Sequence, residues 1–367
     1  MRKFIFFIIF GLLLALPVSA DDNYVTQYNN VGADELYNGL DQQTQEFFNQ
    51  YEIDPENPDW VNKFTEKNVF SHIWNILTVE IKAPLKTGIL IASVIFLTAA
   101  LTAFGISNSF DAAIYTATLV IGVLIASDIW QSVESAVNAI KSCSTFMFSF
   151  VPIFASILAL SGKTVTAPAM SALLLGASET VAFISSFAVL PLMGGYLALS
   201  IASGVSPLLK NSGIADGVKK LSVWIMSLFG TIFVGILSVQ TAINSAADSV
   251  TLRTAKFILG TSVPVAGGVL SEAVSTISSS LGLLRSSIGI YGVVALAVML
   301  LPTITEIILW RFTLMINISL SELFSLSKIS GILRAIDSML AVILGVIMVV
   351  GGVFIISLSI VTKAGGV

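Results

Sequence analysis

In a chain this apolar, the residues able to do chemistry are the few charged ones that interrupt greasy runs. The longest such interruption is Asp248 to Ala273. Asp248 can cap a short helix carrying Arg253 and Lys256, and a spacing of three puts both cations on one face. Gly260 can end that helix. Pro264 with Gly267 and Gly268 opposes a smooth continuation, and Glu272 follows on a Ser-rich segment. Two cations, an acid and a broken backbone make a poor lipid-facing surface, so these six residues (Arg253, Lys256, Pro264, Gly267, Gly268 and Glu272) are candidates for lining a path or docking a partner. The plain alternative is a solvated loop between spans. The second candidate is Glu179, in Ser178-Glu179-Thr180 between apolar flanks. A carboxylate at acyl depth costs several kcal/mol unless neutralised or paired, so it is expected to face a bundle interior, as a proton or substrate contact or as hydrogen-bonded helix glue.

Other chemistries lack their residues. The chain has one histidine, His72, and one cysteine, Cys143, too few for a disulfide, a His/Cys zinc site or a Ser-His-Asp triad. Ser161-Gly162-Lys163-Thr164 imitates the end of a phosphate-binding loop, but that pattern needs a glycine five positions before Gly162, where Ile157 stands. No cofactor is expected, and the expectation is a protein that is not an enzyme.

The elements that must position these residues follow from composition. Of 367 residues, 55% are hydrophobic and 11% charged, against roughly 25% charged in soluble domains. The chain is expected to be all-α and polytopic in a lipid bilayer, because the apolar runs lack the period-two alternation of membrane barrels. Residues 1–20 (Arg2-Lys3, an apolar run, then Pro17 to Ala20) have the order of a cleaved signal peptide. Residues 21–84 form an acidic extracytoplasmic head: 21–67 hold 11 of the chain's 22 acids, with Lys63 and Lys67 the bases. That charge argues against nucleic acid as its partner. Phe70, Ile73, Trp74, Leu77 and Ile81 recur at helical spacing, predicting an interfacial helix with Trp74 at headgroup depth.

Eight spans are read at 87–105, 112–130, 143–161, 167–186, 188–204, 221–240, 287–309 and 338–361. They group into a first bundle (85–240), a polar, Pro/Gly-broken re-entrant or loop segment (241–286) and C-terminal spans (287–367). Alternation puts 241–286 on the side of the head, with a weak excess of bases on the opposite side. Pro152, Pro168, Pro191, Pro264 and Pro302 are expected to interrupt helices, and Glu306 and Arg311 to pair near a membrane edge.

Ser249-Val250-Thr251-Leu252-Arg253-Thr254-Ala255-Lys256-Phe257-Ile258, then Val263-Pro264-Val265, together with Gly235 to Thr241, resembles the signature of the stage III sporulation protein AE family. The resemblance implies a multi-pass protein of the outer forespore membrane in endospore-forming bacteria, facing the intermembrane space. It implies partners from the same sporulation operon, including an ATPase and ring-forming subunits, and a forespore channel partner. Together these would build a secretion-like, permease-like channel joining mother cell and forespore. It supplies no catalytic residues. A self-sufficient secondary transporter of a small solute is the alternative.

Overall fold

The computed structural model describes residues 22–363, apart from 58, 64–65, 104–109, 185–189, 206–216, 218–219, 226, 234, 237 and 240–266. The leader expected at 1–20 and the residues Arg253, Lys256 and Pro264 therefore lie outside the described residues. Every described element is helical: α1 (Asp22–Asn30), a 3-10 turn (Ala33–Leu36), α2 (Gln42–Gln50), α3 (Trp60–Lys63), α4 (Glu66–Glu80), α5 (Lys82–Ala103), α6 (Phe110–Leu160), α7 (Thr166–Ile184), α8 (Leu190–Val205), an apolar helix α9 (Lys220–Phe233), α10 (Gly267–Leu323) and α11 (Ser327–Lys363).

Two helices decide the architecture. α6 has 51 residues and α10 has 57, so at 1.5 Å per residue they run about 75 and 85 Å. The sequence predicts separate spans at 112–130 and 143–161, with a connection between them. The chain does not turn there. Residues 128–142 are polar but contain neither glycine nor proline, and polarity alone does not end a helix. α10 likewise begins inside the segment expected to be broken. Gly267 and Gly268 are its first two residues and Glu272 is in its second turn. Glycines in a first turn do not interrupt a ladder that has yet to start.

The prolines divide in the same way. Pro84, Pro168 and Pro191 sit in the first turns of α5, α7 and α8, where a missing N–H costs nothing. Pro152 and Pro302 lie inside α6 and α10, which continue through them.

The helices pack in two halves joined end to end by α6, α10 and α11. In the lower half, α5 lies so close to α10 that a Cβ on Gly88 would stand 2.3 Å from Thr313. Phe96 meets Phe324 at 5.5 Å, Lys328 sits 3.4 Å over the Tyr115 ring, and Gly122 of α6 faces Ile201 of α8 and Ile332 of α11. In the upper half, Ser144 donates to the Ser178 carbonyl at 2.9 Å, tying α6 to α7. There Gly292 of α10 faces Phe150 of α6 and Leu358 of α11. α9 crosses α11 at Val349 and Val353.

The acidic head docks on the upper half. Tyr24, Leu36, Phe48 and Trp60 are buried, the Phe48 ring stands edge-on to Tyr291 of α10 at 4.8 Å, and a Cβ on Gly39 would be 2.9 Å from Ser149 of α6. A region of some forty residues cannot build a stable core by itself, and it borrows one from the long helices. Tyr24 donates to the Pro55 carbonyl at 2.7 Å, and burial, with the Asp54 carboxylate adding to it, raises its phenol to about 12. Tyr28 is also raised, by burial first and by Asp54. A phenol with a raised folded pKa contributes stability that is complete below its unfolded value of about 10 and is lost as pH climbs through the folded value. The head is therefore expected to loosen between about pH 10 and 12, with Tyr24 accounting for on the order of 2–3 kcal/mol. Phenolate absorbance rising together with exposure of Trp60 fluorescence across that window checks it.

Helix ends explain two small sequence features. Gly162 (φ 80°) closes α6: its N–H donates to the Ala159 carbonyl at 3.0 Å, and that of Lys163 to Leu158 at 2.9 Å. This paired pattern is a helix C-terminal lock, so Ser161-Gly162-Lys163-Thr164 serves as a stop signal. Ser325 ends α10 the same way at φ 58°, donating to Glu322 at 2.9 Å while Leu326 donates to Ser321 at 2.9 Å. A serine pays a steric cost there that glycine avoids. Ser325→Gly is expected to stabilise the protein by about 1 kcal/mol, read as a higher unfolding midpoint in detergent.

Candidate functional site

Between the halves the long helices carry a polar waist. On α6, Asp128, Gln131, Ser135, Asn138 and Ser142 follow one another at steps of three and four, a single helical stripe, with Ser132 beside it. On α10, Met299, Thr303, Glu306 and Trp310 do likewise, with Pro302 next to Thr303. Glu80 and Ala83, at the α4–α5 junction, and Asp41 and Gln43 of the head complete the wall of a cavity of about 410 Å³.

Each helix has a reason to be there. Asp41 caps α2, accepting from the Thr44 N–H at 2.9 Å, which fixes the head's edge over the cavity. The Thr87 hydroxyl of α5 donates to Asp128 Oδ2 at 2.7 Å, and the Ser132 hydroxyl of α6 donates to Glu306 Oε1 at 2.5 Å. Proline at 302 leaves the carbonyl one turn earlier without its usual helical donor, beside the same cavity. Trp130 donates to Glu134 at 3.0 Å on the outer side of α6.

Four carboxylates, Asp41, Glu80, Asp128 and Glu306, face this space, and no Lys, Arg or His is among its described lining residues. Such a cavity favours positive charge over negative. Its hydroxyls and amides can pass a proton or hydrate a cation. They include no activated nucleophile of the kind that needs an adjacent base.

The candidates named from sequence that are among the described residues fall elsewhere. Glu179 was expected to face a bundle interior; its residue is exposed on the outer side of α7, because the apolar and small neighbours Leu174, Ala177 and Ser178 take the inward face. Glu306 was expected to pair with Arg311. Five residues apart on a helix they point in different directions, and Arg311 instead meets Asp337 of α11 at 2.8 Å while Glu306 holds Ser132. Gly267, Gly268 and Glu272 belong to the first turns of α10, far along the helix from the waist. The waist itself was missed. Its signal was the three-four spacing of polar residues between two apolar runs, which was taken for a connection instead of one face of a continuous helix.

The chain matches the family described as stage III sporulation protein AE over residues 61–365. It belongs to the stage III sporulation protein AE family. The matched region takes in α4 to α11, both long helices and the waist, and leaves most of the head outside. A relative named stage III sporulation protein AE, from Bacillus subtilis (strain 168), is 27% identical over 247 residues, which is 67% of this chain and 62% of the relative. No solved structure matches. Among the described residues, four helical stretches are long and apolar enough to cross a bilayer: Val69–Ala103, Ala112–Leu160, Ser280–Leu323 and Ser327–Leu358. The family member is thus a multi-pass membrane protein of sporulation.

Proposed function

We propose that this family member is a non-enzymatic integral membrane core subunit of a secretion-like channel between mother cell and forespore, required for late forespore development. Its partners would be the other membrane proteins of the same operon, an ATPase and ring-forming subunits among them, and a forespore channel protein. The observation that carries the reading is the packing of a small acidic head onto helices two or more bilayers long. That arrangement holds a charged surface at a fixed height on one side of a membrane, as a subunit that positions partners requires. Its residues for docking remain those proposed from sequence, Arg253, Lys256 and Glu272. Reversing the charge of Arg253 and Lys256 together should stop late spore development at unchanged protein level. Normal sporulation of that double variant would count heavily against the reading. Co-purification of the wild-type chain with its membrane neighbours, followed by counting subunits, tests the assembly itself.

A second reading, a self-sufficient secondary transporter, is favoured by the waist cavity and its four carboxylates. It requires purified protein in liposomes to move a solute at a pH-dependent rate that Glu306→Gln abolishes.

A further inference from the structure

We propose that the bilayer encloses only the lower half of the helix bundle, and that the upper half, although apolar in composition, stands in water on the side of the head. The waist then marks the membrane surface.

Four independent features place that boundary. The first is length. A bilayer core of about 30 Å takes about 20 helical residues. α5, with 22 residues, fits that thickness. α6 and α10, at 51 and 57 residues, exceed it more than twofold, so a large part of each lies outside whichever half is chosen.

The second is the head. It packs against Ser149 and Tyr291, midway up the upper half, and its Asp34, Glu35, Glu46, Glu52, Asp54 and Glu56 are all exposed. Six carboxylates at acyl depth are not tolerated, so the stretch of α6 and α10 to which they are fixed is not at acyl depth.

The third is the outer surface of the two halves. Along α10, no residue from Ser280 to Ile307 is exposed; below that, Ile308, Phe312, Met315, Ile316 and Leu323 are. The upper stretch is apolar because it is the centre of a protein core, and the lower stretch because it faces out. Leu85, Ile89, Phe96 and Leu101 of α5 and Val123 of α6 continue the lower apolar surface. The outer surface of the upper half is mixed: Glu179 is exposed there among Phe148, Leu160 and Phe183, and Lys141 is exposed at the waist. The carboxylate that made no sense inside a span is in place on a wet surface.

The fourth is the belt. The half-buried Trp130 lies at the waist and the exposed Trp74 less than two turns before Glu80. Tryptophans gather at headgroup depth. At the opposite end of the lower half, Lys328 and Arg334 lie near the α10–α11 turn, where the second headgroup layer would meet them.

Single cysteines read the boundary directly, and Cys143 is fully buried and can be replaced by alanine beforehand. The protein is reconstituted alone in lipid nanodiscs and treated with a charged maleimide that does not enter lipid. Phe148→Cys and Glu179→Cys are expected to react within roughly tenfold of the head site Glu46→Cys, since thiol reactivity follows access to water. Phe96→Cys, Val123→Cys and Phe312→Cys should react only after detergent is added. All six positions are exposed, and of the packing contacts described only that of Phe96 with Phe324 is given up. Spin labels at the same sites should collide with a water-soluble nickel chelate in the upper half and with oxygen in the lower. Shielding of Phe148→Cys and Glu179→Cys with preferential oxygen collision would overturn the inference, as would free reaction of the three lower sites.

Discussion

Gly292→Ala should destabilise the protein, whereas Gly176→Ala, the same change on another helix, should stabilise it. An alanine in a helix interior is worth up to about 1 kcal/mol over glycine when its methyl has room. At Gly176 there is nothing within 4 Å of the added Cβ. At Gly292 the methyl would stand 2.5 Å from Phe150 Cε2, 2.9 Å from Cζ and 3.1 Å from Leu358 Cδ1. Neither neighbour can step aside. Phe150 is fully buried and stacked on Phe154 at 5.4 Å, with Phe146 at 5.5 Å on its other side. Separating α10 from α6 there also disturbs the shelf on which the head rests. An overpacked core costs about 1–3 kcal/mol per added group, so Gly292→Leu should abolish accumulation of folded protein. Unfolding midpoints in detergent for the two alanine variants decide the matter: a stabilised Gly292→Ala would mean that the three helices do not meet there.

Phe48→Ala should release the head while leaving the bundle folded. The side chain is almost wholly buried and its ring is the head's edge-to-face contact with Tyr291. Truncating a buried phenylalanine costs about 3–5 kcal/mol, more than a region of this size can hold in reserve. Lys63 and Lys67 are the bases between residues 21 and 67, so trypsin should cut the variant there and free an acidic fragment, while the wild type resists. Tyr291→Ala should do the same, and the double variant should cost less than the sum of the two by about 0.5–1.5 kcal/mol, the coupling of an aromatic pair. A head that stays protease-resistant in Phe48→Ala would show that its docking is held by other contacts.

Released heads would also separate the two roles proposed for the molecule. If the head positions partners, its detachment should break assembly and spore development at an unchanged level of the bundle. A transporter working through the waist would keep its flux, apart from the loss of Asp41 and Gln43 from one wall.

The alphabet of the chain determined its class without any coordinates. Few charges and long apolar runs can only be buried, in lipid or in protein, so an all-helical membrane protein followed. The signature from Ser249 to Val265 was enough to name the family, because it is a string of letters and needs no geometry. The helix expected from Phe70 to Ile81 was also legible, since apolar spacing is local, and it lies in α4, Glu66–Glu80.

What tertiary structure decided was everything that depends on where a helix stops and which way its faces point. Asp128 to Ser142 looked like a connection and is a helical stripe; Glu179 looked like an interior acid and is exposed; Arg311 found Asp337, 26 positions away, and not the acid five before it. The physical reason is common to all three. Hydrophobicity reports only that a residue avoids water, and a protein core and a lipid tail satisfy that equally well. Only the packing of α5, α6, α10 and the head against one another separates the two.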